Sequence, residues 1–419
     1  MALKGIVSAA AMLLLTTGPA LAGTTIVVGN CPGGTNETIQ EAINAASPGT
    51  LIKVCPGAYA EQLEINKNVS LEGIADNGAA IIVPPNTGLA QNATSLSSGE
   101  LIAAQIFVHD ATAVHLKNLT VDGANNQISG CSPNPIGIFY QNASGTVTGV
   151  ALRNQKLAPS DAGCQGGLGL YVQSGKSGQS VVTVTDSSVH DYQKNGITGN
   201  DPGTRLIARG NLVRGQGPTN GAAENGIQIG FGATGLVEDN VVIDDIWAPD
   251  TSSDTGDAAA GILVYDSADV KTVNNVVGNT QFGIVYVTDT SFPGLSADGG
   301  TIASNTVLGT SIFDGIDICS NHNSVTHNVV YDSDESGIHL DSSCGTTGND
   351  NHVLRNTINE ACAAILDGGS GNVTSGNVFL NDVYTILTGN TCSSPLMSSA
   401  QQATASVLSG GSGHPHPYR

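Results

Sequence analysis

The chain has 419 residues, 40% of them hydrophobic and 4% aromatic, with 35 acidic against 14 basic side chains. A net charge of −21 argues against nucleic acid or an anionic membrane surface as partner, since both require a cationic face. From Gly215 to Tyr418 there are 22 Asp or Glu and two cations, Lys271 and Arg355, a surface that admits neutral glycans, cations, or acidic glycans bridged by Ca²⁺.

The chain opens with Lys4, an apolar run from Ile6 to Leu15 and the small-residue ending Ala20-Leu21-Ala22, the form of a secretory signal peptide over residues 1–22. The run is too short to span a bilayer comfortably, and no later segment is a candidate. A secreted, monomeric chain that does not span the membrane, extracellular or periplasmic, is expected. Eight cysteines in an exported chain predict disulfides. Pairing sequence neighbours gives Cys31–Cys55, Cys131–Cys164, Cys319–Cys344 and Cys362–Cys392.

Residues 23–60 read as a cap with the first strands. Thr38-Ile39-Gln40-Glu41 has the spacing of a capping box, and Ile39, Ala42, Ile43 and Ala46 fall on one helical face before Pro48-Gly49 stop it. An amphipathic helix of this kind covers the open end of a stack.

Residues 61–392 repeat. A Gly-apolar anchor appears at Gly137, Gly169, Gly196, Gly226, Gly261, Gly283, Gly315 and Gly337. A second anchor, Asn followed by apolar residues, appears at Asn211, Asn240, Asn275, Asn305, Asn328, Asn356 and Asn377, in most turns 13 to 15 residues after the glycine. The gap widens to 22 after Gly283 and 19 after Gly337, where SFPGLSADGG and TTGND look inserted. A short unit of alternating strands cannot bury its own apolar face, so the units must stack. Stacked asparagines would hydrogen-bond along the stack, and Val and Ile would fill a dry interior. After Cys392 the composition turns to Ser, Ala, Gln and Gly, and 393–419 reads as a flexible tail, with His414 and His416 part of a disordered end rather than a metal site.

This repeat resembles the right-handed parallel β-helix proteins of the pectin-lyase-like superfamily, over roughly Thr24 to Cys392. The resemblance implies an all-β, single-stranded right-handed parallel β-helix with an N-terminal α-helical cap. The stretch from Leu51 to Gly73 is similar to the first turns of pectinesterases, but the Gln-Asp-Thr-Leu, Asp-Phe-Ile-Phe-Gly and Leu-Gly-Arg-Pro-Trp signatures are absent from the sequence.

The chemistry is sought between Asp314 and Asp341. With Ile316 and Ile318 inward, Asp317 points out, followed one turn later by His339 and Asp341 and then by Ile365 and Asp367. His339 should lie over Asp317, and Asp367 over Asp341. Asp317 and Asp341 would then be roughly 8 Å apart on an exposed groove, from about 4.8 Å between strands and about 3.3 Å per residue. Carboxylates about 6.5–9.5 Å apart suit inverting glycoside hydrolysis. A second registration rests on resemblance: Asp314-Gly315-Ile316-Asp317 is similar to the Asn-Thr-Asp-Gly-Ile-Asp turn of polygalacturonase-like hydrolases, with Asp334-Glu335 at that family's Asp-Asp pair. It implies Asp314, Asp334 and Glu335 as the catalytic carboxylates. Ile312-Phe313 replaces the Asn-Thr, Ala361-Cys362-Ala363 stands in place of a Gly-His-Gly, and no Arg-x-Lys follows. Asp314, Asp317, Asp332, Asp334, Glu335 and Asp341 also supply hard oxygen ligands for Ca²⁺. On other turns the outward positions read Tyr171, Thr198, Gln228, Leu263 and Val285, with Tyr265 one step on, a strip that fits a neutral sugar chain and fits a protein partner equally well. Two functions follow: a carbohydrate-active protein that binds or cleaves a polysaccharide along its groove, or a non-catalytic surface scaffold.

Overall fold

The computed structural model describes residues 24–392 apart from 36–37, 77, 176, 220 and 248–257. The expected signal peptide and tail lie outside the described residues. The chain forms a right-handed parallel β-helix: short strands pair with the equivalent strands one turn before and after. Among the described residues the pairings are parallel, except where Ala93–Thr94 runs antiparallel to Leu101–His109.

The cap is as its sequence predicts. Ile39–Ala45 is the one α-helix among the described residues, with Thr38 and Glu41 forming the reciprocal capping box and Ile39, Ala42 and Ile43 buried. Glu61 adds two further acceptors for the helix's first amides, Ile39 N and Gln40 N, each at 2.9 Å. All four expected disulfides are present.

The interior is a set of like-on-like stacks. Ile284, Ile316, Ile338 and Ile365 pair in register and have no exposed surface. Burying each such side chain contributes roughly 1.5–3 kcal/mol. One corner is a continuous asparagine ladder. From Asn211 through Asn240, Asn275, Asn305, Asn328 and Asn356 to Asn377, each Nδ2 donates to the next Oδ1 at 2.9–3.1 Å. The second N–H of Asn240, Asn275, Asn305 and Asn328 donates to a backbone carbonyl at 2.9 Å, so these buried amides are satisfied. The residue before the ladder, Asp239, Asn274, Ser304, His327 or Arg355, takes φ near +57° and makes the corner sharp.

Candidate functional site

One outward column runs the length of the solenoid. Phe107, Phe139, Tyr171, Thr198, Gln228, Leu263, Val285, Asp317 and His339 are register partners from turn to turn. At the N-terminal end the rings stack, Phe139 on Tyr171 with centroids 5.0 Å apart. The strip from Tyr171 to Val285 and the placement of His339 over Asp317 follow the sequence reading.

In the middle turns the column opens into a groove of about 600 Å³. Its floor carries Tyr171, Asn195, Asn225, Gln228, Leu263 and Tyr265, and its walls carry Glu100, Asp201, Phe231 and Phe292. The floor amides are tied together: Asn225 Nδ2 donates to Asn195 Oδ1 at 3.1 Å, Asn195 Nδ2 to Gln228 Oε1 at 2.8 Å, and Gln228 Nε2 to Asn200 Oδ1 at 3.1 Å. Asn225 Oδ1, at the end of this chain, is buried without a hydrogen-bond partner. Phe231, Tyr265 and Phe292 form an edge-packed trio with centroids 4.9–6.1 Å apart. Burial raises the pKa of both wall acids, partly offset by Asn134 donating to Glu100 and by Gln173 and Ser97 donating to Asp201. Rings, amides and two carboxyls around one concave space match the chemistry of a sugar.

Two turns on, the same column is closed. Asp314, Asp317, His339 and Asp341 come together on the outer side of the sheet, but each is 5% exposed or less, so the expected exposed groove at these residues is not found. Phe313 stacks on Phe282 at 4.4 Å, the loop held by Cys319–Cys344 closes one side, and Cys392 N donates to Glu335 Oε1 at 3.2 Å. The register also differs in the following turn. Leu366 lies over His339 and Asp367 over Leu340, while Ile365 faces inward. Asp334 is not joined to the cluster: its Oδ2 accepts from Ile312 N at 2.8 Å on a half-buried edge, because a bulge between Ser333 and Ser336 turns it away from Glu335. This separates the three carboxylates of the polygalacturonase-like registration. Asp332 is exposed and Asp334 diverted, so the six acids do not form the calcium cage their number implied.

Within the cluster, Asp314 accepts from Ser336 Oγ at 2.6 Å and faces His339 Nδ1 at 3.2 Å. Asp341 accepts from Ser343 N and Oγ at 2.7 and 2.8 Å, and its Oδ1 lies 3.9 Å from His339 Nε2. Burial, then the charge of Asp341, pushes Asp317 well above the ordinary carboxylate range. Glu335 rises to about 8, from burial and then Asp314. For His339 burial disfavours the cation, but Asp314, Asp341 and Asp317 outweigh it and raise its pKa well above 6.5. His322, His327 and His352 are all exposed, His352 on the opposite sheet, whereas His339 is buried, so the histidines near in sequence do not converge.

The sequence profile described as "Right handed beta helix region" matches residues 104–296. That described as "Periplasmic copper-binding protein (NosD)" matches 209–395. A lacto-N-biosidase of glycoside hydrolase family 136 from Eubacterium ramulus superposes with a TM-score of 0.56 at 13% identity, covering 88% of this chain and 68% of that one. The Dettilon tailspike protein superposes with a TM-score of 0.55 at 15% identity, covering 79% and 62%. The fold is that of a right-handed parallel β-helix. No curated protein matches the chain in sequence. Among the described residues no helix is long and apolar enough to cross a membrane.

Glu100, Asp201, Phe231 and Phe292 were not singled out from the sequence. Phe292 lies in the insertion flagged by the widened gap after Gly283, so a wall residue was within reach of the repeat arithmetic. Glu100 ends a long non-repeating stretch, 84–100, whose return over the sheet leaves no periodic trace.

Proposed function

We propose that this protein binds a neutral oligosaccharide or polysaccharide of an extracellular or periplasmic glycan in the groove over Tyr171–Tyr265. The observation that carries it is the convergence, in one concavity, of an aromatic trio with a connected row of amides ending on an unpartnered acceptor, Asn225 Oδ1. Rings present apolar faces to the C–H surface of a sugar, and amides read its hydroxyls. Glu100 and Asp201 are the carboxyls that line this groove, and they are the candidates for an acid and a base if the bound chain is also cleaved. The acidic balance of the chain disfavours an acidic glycan without a bridging cation. A lacto-N-biosidase by name acts on a carbohydrate, and its likeness in fold is compatible with this reading.

The test is a glycan array followed by calorimetry on the best ligand. Phe292 is 41% exposed, so Phe292→Ala removes a wall ring with little loss of stability. It should weaken binding about twofold to tenfold, for a ring contact of about 0.5–1.5 kcal/mol. Absence of binding to every neutral glycan, or affinity indifferent to Phe292→Ala and Asn225→Ala alike, would sink the proposal. Product assays with Glu100→Gln and Asp201→Asn then decide whether binding is accompanied by cleavage.

A further inference from the structure

We infer that Asp314, Asp317 and His339 form a buried site for one divalent cation of the borderline first-row type, of which Zn²⁺ is the representative, independent of the glycan groove. Their ligand atoms, two carboxylate oxygens and one imidazole nitrogen, all lie within 4.8 Å of one another. Asp314 Oδ2 and His339 Nδ1 are 3.2 Å apart, the spacing of two adjacent ligands on an ion with bonds of about 2.0–2.2 Å. The second observation is Asp317 Oδ1. It belongs to a side chain 95% buried and has no hydrogen-bond partner, an arrangement that costs free energy unless something positive completes it.

The surroundings fit a resident ion. Ser336 Oγ donates to the other oxygen of Asp314 at 2.6 Å and fixes the carboxylate in the way an outer-shell partner orients a ligand. His339 lies 3.2 Å from Asp314 and 3.9 Å from Asp341, and Asp317 is buried beside them. An imidazole ligand and a small set of oxygens select against Ca²⁺, which takes six to eight oxygens, and for a borderline ion. Cys319 and Cys344, near Asp341, are joined in a disulfide and offer no thiolate.

The experiment uses the full exported chain with His414→Gln and His416→Gln, so that tail histidines do not contribute, purified from medium with and without added Zn²⁺. Elemental analysis is expected to give one zinc per chain, bound metal is expected to raise the melting temperature, and Co²⁺ in its place should give visible d–d absorption. Asp317→Asn should weaken Zn²⁺ binding at least about tenfold, since even outer-shell changes cost about 10–100-fold, while leaving glycan affinity unchanged. Less than a tenth of an equivalent of metal with no Co²⁺ absorption overturns the proposal. So does an equal response to Ca²⁺, or Zn²⁺ binding undiminished in Asp317→Asn. If that variant does not fold, His339→Gln replaces it, and metal content and the Co²⁺ spectrum of the parent chain decide without any variant.

Discussion

Over the strands Leu168–Gln173 to Ala260–Tyr265 the outward column of the solenoid lies open, and over Ile316–Cys319 and the strand that ends at Leu340 it is closed. The backbone does not explain this, because the register passes without interruption from Leu263 to Val285, Asp317 and His339. The insertions do. The segment after Gly283 sends Phe292 to the rim and deepens the groove, whereas the segment after Leu340 folds back, with Ser343 on Asp341, Thr347 Oγ1 donating to Asp341 O at 2.8 Å and Cys344 bonded to Cys319. In a solenoid the repeat decides which residues face outward, and the insertions decide which of those meet solvent. The polar residues of the open stretch, Asn195, Asn225 and Gln228, are themselves 8% exposed or less, but they line a groove of about 600 Å³ in which Asn225 Oδ1 can accept from a ligand hydroxyl. In a closed stretch the same residue types must neutralise one another or hold an ion.

The most severe way to break the contrast is to loosen the cover at the C-terminal end. Cys362–Cys392 closes a loop of 30 residues and holds Cys392 N on Glu335. Cys362→Ser with Cys392→Ser should cost about 3–4 kcal/mol in denaturant unfolding, from the loop-closure entropy returned to the unfolded chain. Amide exchange at Glu335–Asp341 should accelerate while that at Asn195–Gln228 stays unchanged. Parallel acceleration at both would show that the two regions open as one unit and that their separation is only apparent.

Next in size is a cut in the scaffold both regions share. Asn305→Ala deprives Asn275 N and Nδ2 of their acceptor and removes the side-chain donor to Thr272 O, all buried, while Asn328 Oδ1 keeps the backbone N–H of residue 305. With each orphaned buried group costing about 1–3 kcal/mol and neighbours relaxing, a loss of about 3 kcal/mol is expected. Asn305→Asp should be no milder, since a buried carboxylate cannot donate to Thr272 O. Ligand affinity measured in the folded protein should change little, which would separate damage to the ladder from damage to the groove.

Much of this was legible in the sequence for a physical reason. Period-2 alternation and the recurrence of Gly-Ile and Asn-Val constrain each residue to one face, so the Ile316 stack, the Asn211–Asn377 ladder and the pairing of Asp317 with His339 follow from counting. Coverage does not follow from counting. Whether His339 is a groove residue or a buried one depends on where the chain between Ser342 and Thr347 folds, which has no period. The bulge between Ser333 and Ser336 had the same effect locally. One extra residue sent Asp334 and Glu335 in different directions and shifted the next turn enough to bring Leu366, not Asp367, onto the outer column.

Burial alone does not distinguish the two regions, and pH can show it. Glu224 lies just before the groove strand Asn225–Gly230, fully buried, accepting from Gln216 N and Nε2 at 2.9 Å. Burial raises its pKa from 4.5 to about 8 against the smaller opposing effect of those bonds. Between these values the folded chain keeps a proton that the unfolded chain has released, so this group lowers stability as pH rises from about 4.5 to about 8. Glu224→Gln, which resembles the protonated acid, should match the parent near pH 5 and lose at least about 1 kcal/mol less between pH 5 and pH 8, at about 1.4 kcal/mol per pKa unit. A pH-independent difference between the two proteins would mean that Glu224 does not titrate in this window.

The smallest expected effect is at Asp334, and it bears on which carboxylates act together. If the grouping of Asp314 with Asp334 and Glu335 were functional, removing any one of the three would abolish whatever that group does. In the structure Asp334 accepts from Ile312 N, from the half-buried edge at the bulge. Asp334→Ala should therefore cost about 1 kcal/mol or less, the net worth of one half-buried hydrogen bond, and leave both metal content and glycan affinity at parent values. Asp317→Asn in the same assays should lower metal content and spare glycan affinity. The two substitutions remove the same functional group from positions 17 residues apart on neighbouring turns. A divergent outcome would place the chemistry of this segment on the face of the sheet that the insertions have covered, whereas a shared loss of metal would put Asp334 back among its ligands.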